Sequence, residues 1–420
     1  MRKVLASAAI LAVAGSAMAT NGDNMIGVTP ASEAMGGLGV GMPIGSVDSI
    51  FRNPAWMNSE KGFTVSFGGI LFMPDVKARY NGTDPYGNNP RDTGYVSSRA
   101  NFFTVPEIGI TNRINDQVVV GIAAYGVSGM GVDYRDKDGY LSNMHTTLQF
   151  MRIIPAVSYQ VNPNLSVGVG LDLAWGSLDM GATMPDGIGG YYNAGGGQSS
   201  SYGVGAQLGI GYKVGDLTVG FNYQSPVSMK YKHVFKTNPN GSYEDLKLQQ
   251  PQEVAAGIGY RVLPNLKVGL DLRWINWSKA DGYKQFKWKD QTVIAVGGEY
   301  QVTPALKLRA GYNYGKSPIR SYSGLDVMTP KNNIPNFNPP KPFTDFQVQW
   351  FNLIGFPAIT EHHITLGGSY QFTKNFAVDL AYVHAFEKKV ESTGNMGGGL
   401  PLVGAKNSQN EIGIALRWSF

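Results

Sequence analysis

The residue types that most often carry out catalysis are sparse in this sequence and are not arranged for it. Its five histidines lack the spacing of a metal site; they are His145, His233, His362, His363 and His384. No G-x-S-x-G nucleophile motif occurs, and the glycine-rich stretch 187–197 lacks a phosphate-binding pattern. The sequence therefore predicts no catalytic residue, no metal site and no cofactor, and we do not expect an enzyme.

Charged side chains instead occur inside strongly apolar segments. The segment 266–274 alternates apolar residues with Lys267, Gly269, Asp271 and Arg273, and the segment 165–175 carries Asp172 in the same way. Side chains of a strand point alternately to two faces, so each segment has one apolar and one polar face. A dry core would cost several kcal/mol for each unpaired buried charge. The polar faces therefore indicate a wet interior.

The C-terminal residues 411–420 show the same alternation and end on an aromatic residue, Phe420. Strands of outer-membrane barrels are apolar toward lipid and polar toward the lumen. The chain has 420 residues, 55 of them glycine, and no run of about 18 apolar residues outside its N-terminus, which excludes helical spans. The net charge of +5 comes from scattered Lys and Arg residues, so nucleic acid is not an expected partner.

Tight turns and long loops alternate along the chain. Six short Pro, Gly, Asn or Asp turns separate apolar segments, and longer Gly-, Pro- and Asn-rich stretches lie between them at about 80–95, 133–146, 179–200, 232–250, 276–290, 316–361 and 387–408. This count predicts an all-β, transmembrane antiparallel β-barrel of about 14 strands with both chain ends periplasmic. The outward Trp418 and Phe420 are the expected assembly signal at the closing edge.

The N-terminal residues fall into two segments that precede the barrel, which we expect at 62–420. Residues 1–19 have a charged start, an apolar stretch and an Ala-Met-Ala cleavage site, as in a signal peptide. Residues 20–61 lack strand alternation and contain many glycines. Because a barrel of this size has a lumen to fill, we expect 20–61 to form a hatch inside it.

The chain resembles the FadL-type family of outer-membrane transporters of long-chain fatty acids and other hydrophobic compounds. The resemblance rests on the A-M-G-G-x-G-V run at 34–40, followed by Asn53, Pro54 and Ala55 just before the first strand. It implies a hatch held by these three residues. It also implies an inward kink of the third strand, expected at 117–134, that opens the wall sideways. The matching residues are Tyr125, Gly126, Gly129 and Gly131, and a plain bend of the strand is the alternative.

The resemblance also implies a basic residue that binds a fatty carboxylate. Lys284 is the closest match, with Phe286 and Trp288 as apolar partners, although it could equally be a solvated loop lysine. A second basic position of the family falls at Ser177, and the N-terminal aromatic of the family is replaced by residues 21–23. Both departures leave the chemistry of the ligand open.

Residues 329–357 form an unusually aromatic and proline-rich loop. A short amphipathic helix over 344–354 would bury one apolar face. Packing against a neighbouring loop is one interpretation, and a hydrophobic landing groove for ligand is the other.

These observations favour uptake of long-chain fatty acids or similar hydrophobic compounds across the bacterial outer membrane. The alternative is a channel for neutral hydrocarbons on the same scaffold, and a general porin or an adhesin has less support. The expected partners are the hydrophobic ligand, outer-membrane lipid and lipopolysaccharide, and the barrel-assembly machinery.

Overall fold

A single antiparallel sheet of 14 strands closes on itself to form the body of the protein. The computed structural model describes residues 20–84, 86–333 and 342–420, so the predicted signal peptide lies outside the described residues. The strands are β1 (Phe63–Gly82), β2 (Phe103–Arg113), β3 (Val118–Asp133), β4 (His145–Gln160), β5 (Leu165–Gly181), β6 (Ser199–Val214), β7 (Leu217–Gln224), β8 (Glu253–Leu263), β9 (Leu266–Ile275), β10 (Gln291–Gln301), β11 (Leu306–Gly315), β12 (His362–Thr373), β13 (Phe376–Thr393) and β14 (Leu402–Ser419).

Short elements complete the chain. The α-helices are α1 (Pro30–Glu33), α2 (Ser46–Arg52) and α3 (Asp345–Trp350), with 3-10 turns at Pro54–Ser59, Gly139–Leu141 and Trp277–Lys279 and a π turn at Phe351–Gly355. Short strands lie at Thr20–Asn21, Asn24–Met25, Arg91–Asp92, Val96–Ser97, Thr183–Pro185, Tyr191–Asn193, Val227–Phe235, Glu244–Gln250, Asn332–Asn333 and Pro342–Phe343. In the part of the chain that the structure describes, no helix has the length and apolar character needed to cross a membrane.

The two faces of the sheet differ as the alternation predicts. Outward side chains such as Leu171 and Ile412 are each 46% exposed on the monomer, whereas the inward Asp172, Asp271 and Glu411 are fully buried. Arg152 binds Asp172 inside the barrel at 3.1 Å. The predicted all-β barrel, its strand number and its apolar outer face are therefore confirmed.

The barrel closes between its last and first strands, as the sequence predicts. β14 pairs with β1 from Ser419–Thr64 to Leu402–Asn81. Phe420 extends this pairing, because its amide donates to the Phe63 carbonyl at 2.8 Å and its own carbonyl accepts from Phe63 at 3.0 Å. The last three residues thus complete the hydrogen bonding of the seam.

The predicted long loops need two corrections. Residues 387–408 are mostly strand, since β13 and β14 stay paired beyond a bulge up to Thr393 and Leu402. The stretch between β7 and β8 is not an open loop either. Its hairpin, Val227–Phe235 with Glu244–Gln250, packs inward against β5 and β6, so that Tyr231 is buried.

The N-terminal segment, residues 20–61, lies within the barrel and is almost wholly buried. The backbone of this segment packs directly against glycines on the inner faces of the strands. A Cβ on Gly220 would lie 1.7 Å from the Val40 carbonyl oxygen, and one on Gly209 would lie 2.1 Å from the Asn53 side-chain oxygen. Any larger residue would collide at these positions. The close fit of this segment gives the inward glycines a physical reason.

Polar contacts tie the segment to the strands at two places. The Asp271 carboxylate on β9 accepts hydrogen bonds from the amides of Gly39, Val40 and Gly41 at 2.8–2.9 Å. The Asn53 side-chain amide donates at 3.0 Å both to Val40 within the segment and to Ile210 on β6. Asn53 therefore bridges the segment and the barrel wall, while Pro54 begins the following 3-10 turn.

We predict that Asn53→Ala loosens the N-terminal segment without unfolding the barrel. The change removes two buried donor contacts and leaves their carbonyl acceptors with fewer partners, at a cost of about 1–3 kcal/mol. Hydrogen exchange of residues 38–58 should rise, while the heat-modifiable migration of the folded barrel stays normal. The control is Asn89→Ala in an exposed loop. Unchanged exchange in Asn53→Ala would show that the bridge does not hold the segment.

We also predict that deleting residues 418–420 prevents assembly. The deletion leaves backbone groups of β1 without partners at the lipid-facing seam, and such groups cost several kcal/mol each in a bilayer. Folded, heat-modifiable protein should be missing from the outer membrane. Normal folded levels would contradict the role of this seam.

Candidate functional site

The third strand separates from its neighbour β2 halfway along its length and stays paired with β4. β3 pairs with β2 from Arg113–Val119 to Glu107–Tyr125, and the pairing then stops. On its other side a bulge shifts the register against β4 between Gly126 and Ser128. The exposed–buried alternation of β3 also ends here, and residues 125–132 are all buried. The pairing with β2 and the regular alternation of β3 therefore both end beside Gly126, one of the residues at which the resemblance implies a kink.

Beyond Tyr125, the N-terminal segment pairs with β3 on the side where β2 no longer does. Asn24 pairs with Ser128, and the Gly129 amide donates to the Asp23 carbonyl at 3.0 Å. Met25 and Ile26 pack in an apolar cluster with Phe103 of β2. An added Cβ on Gly131 would lie 3.6 Å from the Phe103 ring. The break between β2 and β3 is thus covered from inside by this segment.

Tyr125 and Asp23 fix the two sides of this arrangement. The Tyr125 hydroxyl donates to the Val47 carbonyl of α2. The Asp23 carboxylate accepts a hydrogen bond from the Tyr283 hydroxyl in the loop after β9. Burial raises the pKa of the Asp23 carboxyl to about 7, although the hydroxyls of Tyr283 and Ser128 favour its ionised form. A buried, titratable contact therefore joins the N-terminal segment to the loop.

Tyr283 also belongs to an apolar pocket at the long-loop end of the barrel, here called the outer pocket. Its walls come from β3, β4, the inward hairpin and two loops: Met130, Leu148, Leu246, Leu248, Tyr283, Phe286, Trp288, Asn352 and Phe356. The Tyr283 and Trp288 ring centroids lie 4.8 Å apart. Asn352 is satisfied by the Trp288 indole and the Phe286 carbonyl, at 3.0 and 2.8 Å. The pocket thus offers mainly hydrophobic and aromatic surface.

The structure places Lys284 apart from its expected apolar partners, as in the alternative interpretation of a solvated loop lysine. Phe286 and Trp288 face the outer pocket, but the Lys284 side chain is 42% exposed and pairs with Asp281. Lys287 pairs with Asp345 on the outer surface in the same way. Residues 280–288 form helical turns within the predicted loop 276–290, and both lysines are exposed there. None of the described residues that line the outer pocket is charged.

The aromatic loop forms the helix that its pattern predicts. α3 begins with a capping box between Thr344 and Gln347. The Phe351 ring packs against Phe235 of the inward hairpin, with ring centroids 6.1 Å apart. Phe356 packs near Phe286 and enters the outer pocket. Loop packing therefore accounts for the helix, and one of its aromatics also contributes to the pocket; Phe337 lies outside the described residues.

Met130 separates the outer pocket from a small cavity beside the kink. This second cavity has a volume of about 20 Å³ and is lined by Gly129, Met130 and Gly131 of β3, and also by Pro74, Val76 and Pro357. The outer pocket itself has a free volume of about 10 Å³, room for roughly one water molecule. Both spaces are too small in this conformation for a molecule much larger than water, so a larger molecule requires side chains to move.

Sequence reasoning missed the residues that connect these parts. Met130 lies between two predicted kink glycines, and Tyr283 directly precedes Lys284, but neither carries a motif of its own. Ser177, at the second basic position, accepts a hydrogen bond from Gln198 at 2.7 Å and brings no charge. Among the described residues, no group of three or more His, Asp or Glu side chains is placed to hold a metal ion.

Comparison with known proteins gives relatives with the same fold. Outer membrane protein P1 of Haemophilus influenzae strain Rd is 23% identical over 46% of this chain and 39% of its own length. A second Haemophilus influenzae outer membrane protein P1 is 21% identical over 81% of this chain and 80% of its own length. The chain thus spans well under half of the first relative, and most of the second.

Solved structures match over nearly the whole chain. The Ralstonia pickettii toluene transporter TbuX is 19% identical with a TM-score of 0.67, over 94% of this chain and 98% of its own. A Pseudomonas aeruginosa FadL homologue is 18% identical with a TM-score of 0.68, over 95% and 100%. The model of the family described as outer membrane protein transport protein (OMPP1/FadL/TodX) matches residues 5–331. This chain, a closed 14-stranded barrel of the bacterial outer membrane, therefore belongs to the OMPP1/FadL/TodX family of outer-membrane transport proteins.

Proposed function

We propose that this protein takes up neutral hydrophobic molecules, of the size of monoaromatic hydrocarbons, and releases them sideways at the kink of β3. The observation that carries the proposal is the outer pocket, which is mainly aromatic and aliphatic and has no charged side chain among its described lining residues. Its polar groups, on Tyr283 and Asn352, already have protein partners. Such a pocket gains free energy by removing apolar surface from water and asks for no charge from the ligand.

A fatty carboxylate, which the sequence favoured, fits this pocket less well. A carboxylate that enters loses its hydration and needs a cation or several donors in return. The ammonium groups of Lys284 and Lys287 already pair with carboxylates on the outer side. The related structure TbuX of Ralstonia pickettii is a toluene transporter, which supports the same choice of ligand.

The path from the pocket to the wall runs past Met130. Methionine is unbranched and flexible, so its side chain can move aside at little cost. Beyond Met130 lies the small cavity next to Gly129 and Gly131, where β3 has left β2. A molecule that reaches this point can leave between β2 and β3 into the lipid, provided that Met25 and Phe103 separate.

In this proposal the N-terminal segment acts as the hatch. Its Asp23 touches Tyr283 of the pocket, and its Asn24 pairs with the kinked strand. A ligand that displaces the Tyr283 ring would break the hydrogen bond between the Tyr283 hydroxyl and the Asp23 carboxylate. The residues of the N-terminal segment that cover the gap between β2 and β3 would then be held less firmly. Asn53 holds the rest of the segment to β6, so that only its first residues need to move.

We predict opposite outcomes for two substitutions in the same loop. Trp288→Ala removes an aromatic wall of the pocket and should weaken toluene binding by about 1–2 kcal/mol. Lys284→Ala should leave toluene binding unchanged, because this side chain points away. Titration of both purified, folded variants with toluene and with a long-chain fatty acid measures this. Loss of fatty acid binding in Lys284→Ala, with toluene unaffected, would favour the carboxylate ligand and contradict our choice.

The docking of the N-terminal segment against β3 should depend on pH because the Asp23 carboxyl titrates. Its folded pKa, about 7, lies above the usual value of 3.8, so the ionised form is the less stable one when buried. The docked state is therefore favoured in full below about pH 4 and loses this advantage as the pH rises to about 7. Hydrogen exchange at the Gly129 amide, which donates to the Asp23 backbone carbonyl, should speed up between about pH 4 and 7 and level off above pH 7, after correction for the intrinsic rate.

Asp23→Asn should abolish this dependence. Asp48→Asn is the matched control, because burial also raises the pKa of Asp48, to about 6, but this carboxyl accepts its hydrogen bond from Thr29. The same pH dependence at Gly129 in wild type and Asp23→Asn would exclude Asp23 as its source.

A further inference from the structure

A cavity of about 270 Å³ opens at the tight-turn end of the barrel, far from the outer pocket. Its rim is formed by the turns and strand ends from β4 to β9, and the N-terminal segment forms its inner wall. Short turns of outer-membrane barrels face the periplasm. Its volume is close to the lower end of the range for small-molecule sites, about 300–1,000 Å³.

The cavity carries an excess of positive charge. Lys213, Arg261 and Lys267 line it, against Asp216 as the acidic lining residue. The Arg261 Nε lies 3.8 Å from the Asp216 carboxylate, beyond hydrogen-bonding distance. Within the described ranges, no carboxylate lies within 4.0 Å of the Lys213 ammonium. Two or more of these cations are thus free to bind an added anion.

Lys267 is only loosely held by its nearest acid. Its ammonium lies 3.9 Å from the Glu299 carboxylate. The same carboxylate already binds Arg309 at 2.9 Å and Lys307 at 3.4 Å. Because Glu299 is shared among three cations, it does not neutralise Lys267.

The inner wall of the cavity is apolar and belongs to the N-terminal segment. Met42, Pro43 and Trp56 line it beside the polar Asn58. The Trp56 indole donates to the Val40 carbonyl at 2.8 Å, so its one polar group is satisfied. Cations at the rim and an aromatic wall behind them are the two features that an amphipathic anion requires.

We propose that this cavity is a binding site for a small amphipathic carboxylate, with one acidic group on an aromatic or short aliphatic body. The carboxylate lies between Lys213 and Lys267 at the rim, and the apolar body lies against Trp56 and Met42. Such a ligand reaches the site from the tight-turn side and contacts the N-terminal segment directly. This site is separate from the outer pocket and does not rest on the uptake function proposed above.

The test compares two ligands of equal shape on the purified full chain. Benzoate is charged and benzamide is neutral, and calorimetry measures the affinity of each. We expect benzoate to bind at least about tenfold more tightly, and to lose at least about tenfold in the double variant Lys213→Gln with Lys267→Gln. Benzamide should be insensitive to these substitutions, and raised salt should weaken benzoate alone.

The matched control is the double variant Lys284→Gln with Lys289→Gln, which removes two exposed lysines at the opposite end. It should bind benzoate like the wild type, and all variants should keep heat-modifiable migration. Equal binding of benzoate and benzamide, or unchanged benzoate binding without Lys213 and Lys267, would overturn the proposal. Competition between toluene and benzoate would place the acid in the outer pocket and overturn it as well.

Discussion

The structure depends on one constraint: backbone groups that face lipid must find their hydrogen-bond partners within the sheet. The seam between β14 and β1 meets it with continuous pairing over the length of β14, and Phe420 adds the last bonds. Closure of the sheet creates an interior, and inward-facing charged side chains can form ion pairs there. Arg152 with Asp172, and Arg309 with Glu299 and Asp379, are ion pairs of the inner face. A flat sheet would have no such sheltered place for them.

The same constraint gives the N-terminal segment its place. Where β3 separates from β2, residues 128 and 129 stay paired with β4 but have no partner from β2, and residues 23 and 24 supply one on that side. The segment can approach this closely because the inner faces of the strands are rich in glycine. At Gly220 and Gly209 even a methyl group would collide with it. The barrel wall and the N-terminal segment are therefore packed as one unit, so a substitution in one of them changes the packing of the other.

The sequence was sufficient for features that repeat, and insufficient for those made by tertiary packing. Alternation over many strands revealed the barrel, because each inward and outward residue adds to the same signal. The glycines around Gly126 coincide with the end of the pairing between β2 and β3, since strand interiors seldom tolerate glycine. Lys284 lies in the predicted loop 276–290, but the composition of that loop does not reveal the helical turns that leave this side chain exposed. The inward hairpin carrying Leu246 and Leu248 could not be foreseen, since nothing local shows that a polar loop will fold back over the lumen.

The cavities at the two ends of the barrel differ in the charge of their lining residues, and the N-terminal segment contacts both cavities. At the long-loop end, Asp23 contacts Tyr283 of an uncharged pocket. At the tight-turn end, Trp56 lines a basic cavity. Between them, Asn53 and the Asp271 contacts hold the segment to β6 and β9. A ligand at either end can shift the N-terminal segment between two positions only if the ligand binds the protein with different affinity in each position. If two such ligands are coupled through the segment, each changes the affinity of the other by the same factor. In the uptake route that we propose, Asn53 anchors the middle of the segment, so small displacements near Asp23 would uncover the gap between β2 and β3 while the residues around Trp56 stay in place.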